Sequence, residues 1–301
     1  MLREPLGKYK VAIWEYDTDY IEGKEKRKIP MMFYYPSNCG SKMCPYKDVL
    51  FQKERLKGNM IDNGVKTYCY SDGTLSSEID KYPVIIYSHG LTGFQMESTV
   101  LCADLASNGF IVVSIGHPFG SGAVTYTDGT MFDIPEDSDV DIKDLKNLGL
   151  LWEEDIFHVI RYLKKIQNGD IKTCFSGRLD IENGVNLLGV SFGGCCSIGA
   201  LLKEQQAKCA INLDGNLFID LEPTYTDKPI LVLCSPLNHM AYFKLKKISY
   251  PHLSIKKIRK VTHWEFSDGV YLSDKGKNNR QWAYDVSSKR ANLCLELIVG
   301  A

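Results

Sequence analysis

What this chain lacks narrows its function first. It has no apolar run of the 18 or so residues that a membrane-spanning helix needs. It has no charge surplus: 36 Lys and Arg stand against 37 Asp and Glu, a net charge of −1. A chain so balanced is not built around a polyanion, which excludes nucleic acid as the main partner. With 11 Pro and 25 Gly in 301 residues, a collagenous or low-complexity chain is excluded too. A hydrophobic content of 44% offsets the ordering entropy, so most of the chain is expected to fold. The opening MLREPLGKYK has neither an apolar stretch nor a small-residue cleavage site, so no signal peptide is expected and a cytoplasmic location is. The ten cysteines include no CxxC pair, and Cys39, Cys44 and Cys69 have no His partner nearby in sequence. They are expected to be free thiols, with no metal and no cofactor. No phosphate-cradling loop is present.

What is there reads as strands alternating with helices. Tyr9 to Tyr16 and Ile29 to Tyr35 are rich in aromatic and β-branched residues, as strands are. Residues Pro83 to Tyr87, Phe110 to Val113, Asn186 to Val190, Ala210 to Leu213 and Ile230 to Leu233 are short continuous apolar runs. Such runs suit strands buried on both faces. Between them, Trp152, Ile156, Val159, Leu163 and Ile166 form one helical stripe, and Gln95 to Ser107 and Phe192 to Glu204 are helix-like. The expectation is an α/β fold over residues 1–301, with a mostly parallel central sheet, helices on both faces and an antiparallel N-terminal edge. Insertions at about 37–80 and 117–149 are expected to shape a pocket, with one short helix around Asp48 to Leu56.

The chemistry centres on Gly189-Val190-Ser191-Phe192-Gly193-Gly194, a GxSxG turn between a strand and a helix. A turn this sharp lifts the serine hydroxyl above the sheet edge. Serine needs a base to be nucleophilic at neutral pH, and in this strand order the base follows the serine and the acid. That leaves His239, His252 and His263. His263 follows the last expected strand, Leu253 to Ile258, at the C-terminal sheet edge where a base must sit. His239 is its main rival, and His252 precedes its strand. No Asp or Glu lies between Lys228 and His263, so the acid is expected one strand earlier, at Asp214, as the residue that orients the imidazole. The oxyanion hole needs two backbone N–H groups: Phe192, just after the serine, and Leu91, in Ser88-His89-Gly90-Leu91 after the strand from Pro83. The His89-Gly90 pair is expected to shape that loop.

These segments, with Met32 to Pro36, Asp104 to Val112 and Gly177 to Asp180, resemble the platelet-activating factor acetylhydrolase isoform II family and its dienelactone-hydrolase-like neighbours. The resemblance runs from about residue 5 to 299 and includes the 23-residue step from Ser191 to Asp214. It implies an α/β-hydrolase fold and a metal-independent esterase acting on acyl esters, often short or oxidised chains on lipids. By position it supports Ser191, Asp214, His263 and the Leu91 and Phe192 amides. The family usually places His before the serine, where this chain has Val190.

The expected activity is therefore a serine-dependent carboxylic ester hydrolase working through an acyl-enzyme on a small-molecule acyl ester or thioester. An acyltransferase, cyclase or thioesterase in a biosynthetic pathway would use the same residues. From Lys228 to His263 there are eight Lys or Arg, and from Asp133 to Asp155 nine Asp or Glu. These read as solvated faces of opposite sign, with peripheral contact to an anionic membrane as the sharper reading. Val49, Leu50, Phe51 and Leu56 read as packing under their loop, with an interfacial helix as the alternative.

Overall fold

A computed structural model describes residues 2–23, 25–46, 65–133, 144–222, 225–238 and 250–300. The N-terminal edge is a long hairpin, β1 (Lys10–Glu22) and β2 (Glu25–Ser37), paired antiparallel along its whole length. Two short strands follow, β3 (Met43–Pro45) and β4 (Lys66–Tyr70). The continuous apolar runs then become β5 (Tyr82–Ser88), β6 (Ile111–Ile115), β10 (Val185–Val190), β11 (Ala207–Leu213) and β12 (Ile230–Cys234). Between β6 and β10 come a separate hairpin, β7 (Ala123–Thr125) with β8 (Met131–Asp133), and the short β9 (Leu179–Asp180), which adjoins β5. The strand β13 (Leu253–Lys257) closes the far edge.

The main sheet runs β13-β12-β11-β10-β5-β6-β2-β1-β4-β3. From β13 to β6 every neighbour is parallel, and β2 joins β6 antiparallel. The parallel strands are apolar throughout because both of their faces are covered. On one face lie α2 (Leu145–Asn168) and α3 (Phe192–Lys203), which pack with Phe33, Ile86, Val113 and Leu187. On the other lie α1 (Thr99–Ser107) and the C-terminal α6 (Arg280–Gly300), against Tyr34, Ile85, Val112 and Ile211. Adjacent strand residues alternate between the two clusters, as the pleat requires. This is the α/β-hydrolase fold.

Several boundaries differ from those expected. The first strand runs on to Glu22, because Thr18 and Tyr20 find partners on α2: Thr18 Oγ1 lies 2.9 Å from His158 Nε2, and the Tyr20 hydroxyl donates to Asp155 at 2.7 Å. The first helix starts at Thr99 rather than Gln95, since Phe94 to Ser98 form turns that carry Glu97 toward the site. The region 37–80 contributes two strands to the sheet edge, β3 and β4. The helix expected around Asp48 to Leu56, and with it the reading of Val49, Leu50, Phe51 and Leu56, lies outside the described residues. After β13, a 3₁₀ turn (His263–Phe266), α4 (Gly269–Leu272) and α5 (Asp274–Asn278) lead into α6.

Candidate active site

Ser191 sits between β10 and α3 with φ +53° and ψ −120°. A non-glycine residue at positive φ is costly and survives only where its surroundings hold it. They do so here. The Ser191 N–H donates to the Leu213 carbonyl at 2.8 Å. A Cβ on Gly189 would overlap the Gly193 backbone, and one on Gly193 would overlap the carbonyls of Ser88 and His89. Both glycines are therefore demanded by close approach of backbone to backbone. A Cβ on Gly215 would strike the Ser191 carbonyl, so a third glycine, unnoticed in the sequence, also keeps the turn clear. Cys195 and Cys196, next along α3, are fully buried.

Asp214 follows β11 at φ +58°, a conformation Asp tolerates better than most residues. Its side chain has no exposed surface. One carboxylate oxygen, Oδ2, lies 2.9 Å from His263 Nδ1, and the other accepts the Ser235 N–H at 2.6 Å. His263 opens the 3₁₀ turn, whose entry is fixed by Glu265 folding back onto Thr262: the Thr262 hydroxyl donates to the Glu265 carboxylate at 2.6 Å. The imidazole is 45% exposed, and it shares a cavity with Ser191. Among the described residues Ser191 Oγ makes no hydrogen bond. His252 lies before β13, away from Ser191 and at the opposite end of the sheet, in the wall of another cavity with Pro229 and Glu296. His239 lies outside the described residues.

The shared cavity has a volume of about 560 Å³. Leu91, Leu145, Phe192, Phe218, Leu237 and Trp264 give it apolar walls, while Ser191, Asp214 and His263, with Asn216, Ser235, Asn238 and Thr262, supply the polar groups. The mouth is open, with Leu237 80% and Trp264 75% exposed. The backbone amides of Leu91 and Phe192 make no hydrogen bond within the described residues, so both remain available to an anion. Phe192 also begins α3, whose dipole presents its positive end there. Among the described residues no group of three His, Cys, Asp or Glu side chains is placed to hold a metal ion. Nor is any helix among them long and apolar enough to cross a membrane.

Two features of the site escaped the sequence reading. The first is Glu97, which anchors the Leu91 loop: its Oε1 accepts the Gly90 N–H at 2.7 Å and the Tyr87 hydroxyl at 3.1 Å. Burial pushes this carboxyl up to about 7. The second is a buried network beneath the same loop. Ser88 Oγ lies 3.1 Å from His117 Nε2, and His117 Nδ1 lies 2.9 Å from Asp155 Oδ2. Arg27 donates to both oxygens of Asp155 at 2.7 Å. Burial opposes ionisation of Asp155, but the bonds from Arg27 and His117 outweigh it and hold the carboxyl below its usual range. Ser88, His117 and Asp155 thus form a second serine–histidine–aspartate arrangement. All three are 0% exposed, so no ester reaches them and their role is to fix the end of β5. His89 completes the support: its Nδ1 lies 2.6 Å from the Gly90 carbonyl and its Nε2 2.6 Å from Ser121 Oγ. The one sequence signal for this network was an acid, Asp155, on the apolar side of the Trp152 helix.

The family model described as platelet-activating factor acetylhydrolase, isoform II, matches residues 2–268. Among curated proteins, platelet-activating factor acetylhydrolase of Cavia porcellus is 27% identical over 254 residues, covering 73% of this chain and 58% of that one. The Bos taurus protein of the same name is 27% identical over 228 residues, covering 65% and 50%. The chain spans about half the length of these curated relatives. Among solved structures, a ferulic acid esterase from Streptomyces cinnamoneus superposes with a TM-score of 0.75 at 18% identity, covering 97% of this chain and 90% of that one. The Pyrococcus horikoshii acylaminoacyl peptidase gives 0.55 at 14% identity, over 95% and 41%. At such identities the likeness is one of fold.

Proposed function

The chain belongs to the platelet-activating factor acetylhydrolase isoform II family, and from that membership and the geometry around Ser191 we propose that it is a serine-dependent carboxylic ester hydrolase. One observation carries the reading: a serine at positive φ shares an open, apolar-walled cavity with a histidine that a buried aspartate orients. In this mechanism His263 Nε2 takes the proton of Ser191 Oγ as the oxygen attacks the ester carbonyl. Asp214, bonded to Nδ1, keeps the proton on that nitrogen and stabilises the imidazolium that forms. The Leu91 and Phe192 amides receive the oxyanion. The tetrahedral intermediate collapses, the C–O bond breaks, and His263 returns the proton to the leaving alcohol. Water, activated by the same imidazole, then hydrolyses the acyl-enzyme.

The substrate class is a small-molecule acyl ester with an apolar portion, for which the cavity walls provide burial. The exposed Leu237 and Trp264 at the mouth admit water to the acyl-enzyme, which favours hydrolysis over transfer to another acceptor. The test joins a fluorophosphonate probe to an ester panel of increasing acyl length. Labelling is expected at Ser191 alone and hydrolysis is expected to survive chelators, with both lost in Ser191→Ala. Labelling that persists in Ser191→Ala, or an activity that chelators remove and metal restores, would overturn the assignment.

A further inference from the structure

A second, smaller lobe of about 130 Å³ opens from the same centre, sharing Leu91, Ser191, His263 and Trp264 with the larger one and adding Gly90, Gly93, Glu97 and Ser267. It differs from the larger lobe in chemistry. The large lobe carries the Leu145, Phe218 and Leu237 side chains beside its polar groups, whereas the small one has the Gly90 and Gly93 backbone, the Thr92 and Ser267 hydroxyls and the Glu97 carboxyl. Its volume accommodates about four water-sized groups. The Glu97 carboxyl takes three donors, the Gly90 N–H and the Tyr87 hydroxyl on Oε1 and the Phe94 N–H beside them, and a carboxylate has lone pairs for one more, from the lobe that Glu97 lines. Among the described residues no Lys or Arg lines the lobe, and His263 is the titratable group that faces Glu97 across it. Gly93 packs against Oε2 so closely that a Cβ there would overlap it, so the loop leaves room for this oxygen and nothing else on that side.

We propose that the small lobe is a substrate subsite in which Glu97 Oε2 accepts a hydrogen bond from a hydroxyl or ammonium group carried on a short arm of the ester. The proposal rests on Ser191 being the nucleophile, since the lobe gains its meaning from sharing Ser191 and His263 with the large lobe. An ester bound at Ser191 straddles the two lobes, its larger apolar part in the 560 Å³ lobe and its shorter arm in the 130 Å³ one. An apolar arm of the same size would strip water from the carboxyl's remaining lone pairs and return no donor, and sites built to hydrogen-bond a substrate group reject near-isosteres that lack it. Because burial holds the carboxyl near 7, both its neutral and ionised forms are present at neutral pH. The ionised form accepts from a hydroxyl or an ammonium group, and the neutral form, with its proton on Oε2, can still pair with a hydroxyl by donating to it.

Three p-nitrophenyl phosphonates test this, alike except that the short alkyl arm ends in methyl, hydroxyl or ammonium. Ser191 Oγ attacks phosphorus, p-nitrophenolate leaves, and the second-order rate of adduct formation is read by mass spectrometry. The hydroxyl or ammonium probe is expected to label at least about tenfold faster than the methyl probe. The ratio is taken within each protein, so any general loss in a variant cancels. In Glu97→Leu the ratio is expected to fall to about one. In Glu97→Gln the amide oxygen takes the Oε1 place, where Gly90 and Tyr87 donate, and the NH2 faces the lobe; a hydroxyl, which can accept, should keep its preference and an ammonium group, which cannot, should lose it. Equal rates for all three probes in the native protein would overturn the subsite, as would a preference that survives Glu97→Leu. Failure of every probe to label Ser191 would instead overturn the nucleophile, and the subsite with it.

Discussion

At the scale of single residues, the site depends on a few side chains and amides held where they would not rest by themselves. Ser191 and Asp214 both occupy positive φ, and each is held there by a backbone N–H donated to the strand beside it: Ser191 to Leu213 and Asp214 to Leu233. Asp214 is the member of the proposed triad that the sequence reached by elimination, and it carries the most informative substitution. Asp214→Asn keeps the volume and an acceptor for the Ser235 N–H. It removes the carboxylate from His263 Nδ1, so the imidazole is free to adopt the wrong tautomer. Turnover is expected to fall by about 10²–10⁴ with folding intact, as measured by steady-state ester hydrolysis and a thermal melt. Asp220→Asn, whose carboxylate is surface-exposed and paired with Lys146, should cost far less. If Asp214→Asn is no more harmful than Asp220→Asn, the triad is misassigned.

At the scale of elements, what was legible in the sequence followed local pattern. The parallel strands were readable because both faces are covered, which leaves unbroken apolar runs such as Ile230 to Leu233. The helix α2 was readable because one stripe faces the core. The long α6 was not, because the face it buries, Ala283, Val286, Ser287, Arg290, Ala291, Cys294 and Ile298, is interrupted by a serine and a charged arginine and filled mostly by small residues. The elbow and the Leu91 loop were readable from short motifs, whereas Glu97, Asp155 and Asp268 act through partners far along the chain. Asp268 is the clearest case. It is fully buried, its carboxylate accepts the N–H of Val100 in the first turn of α1 at 3.2 Å, and its own N–H donates to the Glu97 carbonyl at 2.7 Å. It therefore caps a helix some 170 residues upstream, whose own Ser98 provides no side-chain cap. The same contacts tie the His263 turn to the segment that carries Glu97 and, through it, the Leu91 loop. Asp268→Ala is expected to cost about 1–2 kcal/mol, the usual loss for a helix cap. It should also lower kcat more than KM, because in the proposed mechanism both loops that it joins serve the transition state. A melt and a kinetic profile check both, and full stability in Asp268→Ala would remove the capping role.

At the scale of the whole molecule, burying titratable groups around the site makes stability depend on pH in a definite direction. Burial raises Glu97 to about 7, Asp104 to about 6 despite its pairing with Arg3, and Asp268 to about 8. Burial lowers His89 to about 3 and depresses His117 and His158. A carboxyl with a raised value is protonated in the fold and ionised in the unfolded chain. Its contribution is complete below the unfolded value near 4 and is lost as pH rises through the folded value. A histidine with a depressed value works in the opposite sense: its contribution is complete above about 6.5 and is lost as pH falls. Between about pH 4 and 6.5 the two sets oppose one another. Above 6.5 the histidines have nothing left to add, while Glu97 and Asp268 are still losing protons, at up to about 1.4 kcal/mol per pH unit for each group. The melting temperature is therefore expected to fall from pH 6.5 to 8.5. Asp268, with no exposed surface, should carry more of that slope than the partly exposed Glu97, and Asp268→Asn should flatten it. Beyond about pH 9 the buried thiols of Cys69, Cys102 and Cys196, all raised by burial, continue the decline with the same sign. A melting temperature that is level or rising between pH 6.5 and 8.5 would show that these carboxyls ionise in the folded protein as freely as in the unfolded one.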